Sequence, residues 1–223
     1  MTAPPAERVS LATLLTDDVV RRVSRLQHGY LQPSGAERAR AQAALAILRG
    51  ADPADPTTHP EAWPFVAEAS APELSGSGDE PTPAERARHC ALVLYAIHQQ
   101  SGSQPVHVRG VPFARAVRQL ANKRAGQGEE FDQSVRGRFD QVILAATWRS
   151  RAEHLRALVR LMRAEGIGFD YADLARDLYR LARPASARHA RVAWARGFYT
   201  RPVAAAQADP DPQPQNDTEG ASA

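Results

Sequence analysis

Four groups of residues in this chain have the types and spacing to carry chemistry. His89 and Cys90 could make a thiolate–imidazole pair, but adjacent helical residues project about 100° apart and do not face each other. A buried thiol beside a surface histidine accounts for them better. Asp170, Asp173 and Asp177 are spaced to share a cation, yet the first two fall at the N-cap and third position of a helix, where carboxylates satisfy free backbone N–H groups. Trp148, Trp194, Phe198 and Tyr199 could stack on bases, and at helical spacing they are assigned to core packing instead. The fourth group is arginine. Lys123 is the one lysine among 28 basic residues, and a guanidinium fork suits two-point contact with phosphate.

Motifs for other chemistry are missing from the sequence. It holds no G-x-S-x-G, no H-E-x-x-H, no P-loop and no Gly-rich dinucleotide turn, so no enzyme class is indicated. None of the seven histidines lies four residues from another, so no metal or other cofactor is expected.

Charge is distributed very unevenly. Residues 1–85 carry seven Arg against twelve Asp and Glu, a balance of −5. Residues 86–201 carry 21 Lys and Arg against nine acids, a balance of +12, and residues 202–223 carry four acids and no base. The formal net charge of +3 therefore hides a strongly basic middle, the signature of a phosphate polyanion as partner.

The elements that must position these arginines all read as helices. One is marked at both ends: Ser150 and Glu153 have the spacing of a capping box, and Gly166 supplies a left-handed stop. Leu155, Leu158, Val159 and Met162 form its apolar face, with Arg149, Arg156, Arg160 and Arg163 beside it. Taken alone such a stripe is an ordinary solvated face. Further helices are predicted at 9–27, after a Ser34–Glu37 capping box, after Thr82–Pro83–Ala84–Glu85, at 113–124, 129–147, 171–181 and 186–201. The Thr82 helix is apolar around much of its girth from Ala91 to Ile97 and should be the buried centre of a bundle. A short element around Pro64 is limited to about two turns. Val106-His107-Val108 could pair as a strand but has no evident partner. The expected fold class is all-α, with about eight helices. The Ser/Gly/Pro-rich stretch 70–82 reads as a linker between candidate lobes 8–69 and 83–201, within one helical region 8–201. Composition predicts a disordered acidic tail at 202–223.

A single cysteine, no apolar leader, and a longest apolar run of seven residues predict a cytoplasmic protein with no membrane partner.

The second half resembles a known family. The run Val135-Arg136-Gly137-Arg138-Phe139-Asp140-Gln141-Val142 is followed by His154-Leu155-Arg156 with Leu158-Val159 and Leu161-Met162. Ile167, then Phe169-Asp170-Tyr171, Leu174 and Asp177-Leu178 come next, and Trp194-Ala195-Arg196 with Phe198-Tyr199 closes the series. Their order and spacing, with Leu94 to Gln99 as a central helix, are similar to the CasB-type small subunit of the type I-E CRISPR Cascade complex. The loops 51–60 and 70–82 and the acidic tail depart from that pattern. The resemblance implies an all-helical, non-catalytic subunit, present as two copies beside the guide-RNA subunits. Its implied partners are other Cascade subunits, guide RNA, target DNA, the displaced non-target strand and a second copy of itself. Basic positions of the family correspond to Arg49, Arg86, Arg115, Arg136, Arg138, Arg156 and Arg160.

The candidate nucleic-acid-binding set is therefore Arg49, Arg86, Arg115, Arg118, Lys123, Arg124, Arg136, Arg138, Arg149, Arg156, Arg160 and Arg163. Arg88, Arg188, Arg191 and Arg196 add further charge on the basic helices. Two other readings fit the composition: an assembly scaffold whose arginines meet acidic protein surfaces, and a dimeric helical transcription regulator. The second lacks a recognition helix with Asn, Gln and Arg in its first turns.

Overall fold

The transitions from loop to helix are set by a few small polar side chains and prolines. A computed structural model of the chain describes residues 9–68 and 71–200. Its helices are α1 (Leu11–Leu31), α2 (Ala36–Gly50), α3 (Pro64–Ala67), α4 (Pro83–Gln99), α5 (Phe113–Lys123), α6 (Gln133–Leu144), α7 (Trp148–Glu165), α8 (Tyr171–Leu181) and α9 (Pro184–Tyr199). The fold is all-α. Eight of these helices have eleven residues or more, and α3 is a four-residue turn opened by Pro64, as that proline requires. The predicted acidic tail lies outside the described residues.

Caps fall where hydrogen bonds can be made, which corrects three starts. At α4 the capping box is complete: Thr82 Oγ1 accepts from Glu85 N at 3.2 Å and Glu85 Oε2 accepts from Thr82 N at 2.7 Å. At α7 the cap is Thr147, whose hydroxyl accepts from Ser150 N at 3.1 Å. The helix thus begins before Ser150, which sits inside its first turn. At α2 the cap is Gly35, with no side-chain bond, so the Ser34–Glu37 box does not form. Helix α6 is shorter than predicted because Asp132 caps it, accepting from Ser134 N and Val135 N at 2.7 and 3.1 Å. Gly166 takes φ 67° at the end of α7, a conformation only glycine adopts without steric cost.

Helix α4 is buried along almost its whole length, as an all-round apolar sequence demands. Helices α1, α2, α7 and α8 pack around it, and α5, α6 and α9 close the far side of α7 and α8. One continuous buried cluster runs from Leu15 of α1 to Phe198 of α9, and includes Leu74 from the Ser/Gly-rich stretch. Phe113, Phe139, Trp194 and Phe198 stack together beneath α5, α6 and α9. Trp194 donates its indole N–H to Asp177 Oδ2 at 2.7 Å. Trp194 and Phe198 are thus core residues, whereas Tyr199 is exposed. Asp170 caps α8 as predicted, with Ala172 N and Asp173 N donating to it.

Three expectations about buried groups change. Val106–Val108 does find a partner, since Phe169 N donates to Val106 O at 3.0 Å and Val108 N donates to Phe169 O at 3.1 Å. The result is a single parallel bridge rather than a strand. His89 is fully buried, not at the surface, with Nε2 2.8 Å from Asp52 O, beside the buried Cys90, whose thiol burial makes a poorer acid. Arg88 has no exposed surface at all and belongs to the core.

Burial also has a consequence for pH. His98 lies under α8 with Nδ1 2.7 Å from the Tyr171 hydroxyl. Burial, and to a lesser extent the Arg163 charge, holds its pKa down at about 4. His89 and His107 are shifted down by burial as well. A histidine that stays neutral when folded, but protonates when unfolded, leaves stability intact above its ordinary pKa of 6.5. That stability is lost as pH falls from there through the folded value. For His98 alone the loss is about 3 kcal/mol once the lower value is passed. The urea midpoint should therefore fall steadily between pH 6.5 and 4, with a shallower fall in His98→Gln. An identical slope in that variant would place the titration elsewhere.

Candidate nucleic-acid interface

Helix α7 is the best-anchored carrier of the predicted arginines. Leu155, Leu158, Val159 and Met162 have no exposed surface and fix its orientation. Its far end is closed by Ile167 N donating to Met162 O at 2.9 Å, the reach-back bond of a glycine-terminated helix. Its flanks are tied to the α4 side. Arg149 Nη1 meets Asp52 Oδ2 at 2.7 Å, and Arg163 Nη1 donates to Gln100 Oε1 at 3.2 Å. Between these ties stand Arg156, half-buried, and Arg160, exposed. At 1.5 Å of rise per residue the row from Arg149 to Arg163 is about 21 Å long.

The twelve candidates divide by whether a carboxylate already holds them. Arg86 Nη2 meets Glu80 Oε2 at 2.8 Å, and Arg149 is held by Asp52. Arg118 meets Glu130 at 2.8 Å while its guanidinium lies over the Phe131 ring, 4.8 Å from the centroid. Lys123 Nζ donates to the Glu165 carbonyl at 2.8 Å, and Arg124 Nη1 meets the Glu165 carboxylate at 3.0 Å. These two cations neutralise Glu165 and favour the negative end of α7. Both the hydrogen bonds and the two charges keep the Glu165 carboxyl below its usual range. Arg136 pairs with Asp140 at 3.7 Å, one helical turn on.

The remaining candidates are Arg49, Arg115, Arg138, Arg156, Arg160 and Arg163. None of these has an acidic partner among the described residues. Arg49 stands half-buried in the last turn of α2. Arg115 and Arg138 are exposed on α5 and α6 and form separate basic points. Only Arg156, Arg160 and Arg163 are brought together on one helix without carboxylates to quench them. Arg86 and Arg149 are also brought together, both close enough to Asp55 to help hold its carboxyl below the usual range. They share that corner with acids.

Two features were not legible as function from the sequence. Arg151, inside the arginine-rich helix, is buried and donates to Val142 O and Ala145 O at 3.1 and 2.8 Å. It seals the end of α6 and is structural. Conversely Arg188 and Arg196 line a shallow cleft of about 390 Å³ on α9 with Val192, which is 40% exposed. They were visible as helical arginines, but their shared face shows only once α9 packs on α5 and α8. Among the described residues no group of His, Cys, Asp and Glu is placed to hold a metal ion, and no helix is long and apolar enough to cross a membrane.

Residues 44–199 match the family model of CRISPR-associated protein Cse2. Among solved structures, CasB from Thermobifida fusca is 35% identical with a TM-score of 0.66, the match covering 83% of this chain and 98% of that one. A CRISPR-associated protein of the Cse2 family from Thermus thermophilus is 27% identical with a TM-score of 0.57, over 82% of this chain and 98% of its own. No curated protein matches the chain.

Proposed function

Because the chain belongs to the CRISPR-associated Cse2 family, we propose that it is the non-catalytic small subunit of a type I-E Cascade complex. In that role it holds nucleic-acid backbone through arginine side chains. The observation that carries the second part is the α7 row, where Arg156 and Arg160 project from a helix tied at both ends and meet no carboxylate among the described residues. Fixed cations are worth more to a phosphate than mobile ones, because the ordering cost of the helix is met by its own core. Contacts of this kind read charge and spacing, not bases, so they hold guide RNA, target DNA or the displaced strand without sequence preference. Opening a DNA duplex along a guide RNA exchanges one duplex for another of similar stability, and protein contacts to backbone then decide the balance. The remaining Cascade subunits and a second copy of this chain complete the assembly.

Salt dependence tests the electrostatic part. With six to ten phosphates contacted, affinity for a fluorescent oligo-dT should fall by about 10³–10⁵ between 50 and 200 mM salt. Anisotropy titrations of the purified chain measure this. Salt-insensitive binding, or strong preference for one palindromic duplex, would contradict the reading, and the latter would restore the transcription-regulator alternative.

A further inference from the structure

Residues 51–80 contain seven carboxylates and no lysine or arginine, on a chain whose residues 86–201 are strongly basic. This segment builds a groove of about 420 Å³. Its apolar lining is Pro56, Pro60, Pro81 and Trp63, which is 37% exposed, and Thr57 and Glu85 also line it. Asp79 and Glu80 stand on the rim. The wall from Gly76 to Pro81 is tied to the start of α4, since Gly76 N donates to Glu85 Oε1 at 3.0 Å. A Cβ at Gly76 would come within 2.8 Å of Thr82 Cγ2, so only glycine lets the loop lie this close. The groove is therefore a built feature of the fold. An adjoining cleft of about 380 Å³ continues from the same rim toward Trp148.

Nothing in the strand-holding role uses this surface. Phosphate is repelled from it, and two candidate arginines next to it, Arg86 and Arg149, are already held by Glu80 and Asp52. We propose that the groove seats an arginine side chain from a partner polypeptide. The flat guanidinium would lie against the Trp63 indole, where a cation is attracted to the ring face. Its N–H fork would reach the rim carboxylates, which a lysine ammonium cannot match in geometry. Asp79 has no ion-pair or hydrogen-bond partner among the described residues and supplies the first acceptor. Glu80, with its side chain 84% exposed, is shared between Arg86 and the incoming guanidinium. The chain thus has two faces of opposite sign, one for nucleic acid and one for a basic segment of protein.

The test uses the full chain labelled with ¹⁵N, whose three tryptophans give separate indole N–H signals. Trp63→Phe identifies the Trp63 signal. The probe is a capped nonapeptide carrying three arginines, with a counterpart in which citrulline keeps the shape and removes the charge. The Trp63 signal should move on addition of the arginine peptide while the buried Trp194 signal stays in place. Citrulline replacement, or Asp79→Asn with Glu80→Gln, should each weaken binding by about tenfold. Removing the same amount of charge at Glu68 and Glu73 should leave affinity unchanged. An unmoved Trp63 signal overturns the proposal, as does equal binding of the citrulline peptide. So does an equal loss from the Glu68 and Glu73 changes, which would mean a diffuse field and no groove. A shift of Trp63 on addition of oligo-dT would assign the groove to nucleic acid instead. The oligonucleotide and peptide titrations report separately, so either function can fail without the other.

Discussion

Arg156→Glu with Arg160→Glu is expected to lower affinity for single-stranded nucleic acid by roughly a hundredfold or more, because it sets like charges against phosphate. Arg160 is exposed and Arg156 half-buried, beside the face made by the fully buried Leu155, Leu158, Val159 and Met162, so the far-UV circular dichroism of a folded helix should be kept. In a reconstituted Cascade complex the same variant should assemble normally and form shorter-lived R-loops. Normal assembly with unchanged R-loop lifetime would favour the scaffold reading. The informative control is Arg86→Gln with Arg149→Gln. Those two guanidiniums are already held by Glu80 and Asp52 at 2.8 and 2.7 Å. Removing them should cost less than about threefold, since what remains is a screened, longer-range effect.

The second large effect concerns stability. Arg88 is completely buried, and Asp18 on α1, 1% exposed, lies 3.4 Å from its Nη1. Arg22 reaches the same carboxylate at 3.1 Å. Burial depresses the Arg88 pKa, and the Asp18 charge opposes that shift. The Arg88 Nε and Nη2 atoms have no hydrogen-bond partner among the described residues, so this guanidinium depends heavily on one carboxylate. Asp18→Ala should cost about 3–5 kcal/mol, the penalty for leaving a charge buried without its counterpart. For a chain of this size that corresponds to a melting temperature lower by about 10 °C. Arg88→Met in the Asp18→Ala background should recover most of the loss, because it removes the orphaned charge and keeps an apolar stem in place. A small effect of Asp18→Ala alone, measured by urea unfolding, would show that other groups or water solvate Arg88.

Much of the fold was legible because it follows from local rules. An apolar run with no polar face, Ala91 to Ile97, has only one stable place in a helical protein, its middle. The Thr82–Glu85 box and Gly166 each involve partners within a few residues, so the sequence itself holds all the information they need. Ser150 failed as a cap because the helix starts a turn earlier, at Thr147, whose hydroxyl accepts from Ser150 N itself, and spacing alone does not rank the two. The Val106–Phe169 bridge failed for a different reason: its partners are more than sixty residues apart.

The candidate interface divides along the same line. Helical spacing reveals that Arg149, Arg156, Arg160 and Arg163 share a stripe, and it identifies the apolar face that holds them. It cannot reveal that Arg149 meets Asp52, 97 residues away, or that Glu165 draws in both Lys123 and Arg124 from α5. Whether an arginine is free for phosphate is a tertiary fact. Arg88 shows the extreme case, since two residues from Arg86 it is buried completely.

The central claim is that phosphate is held by arginines without carboxylate partners, with α7 foremost. It is tested most directly by the slope of log affinity against log salt for oligo-dT, measured for the natural chain and for Arg156→Gln with Arg160→Gln. Each single-strand phosphate contact contributes about 0.7 to that slope. Losing two should make it shallower by about 1.4, while the Arg86→Gln and Arg149→Gln pair leaves it close to its original value. A slope unchanged by the α7 substitutions, or reduced as much by the Arg86 and Arg149 substitutions, would contradict the claim.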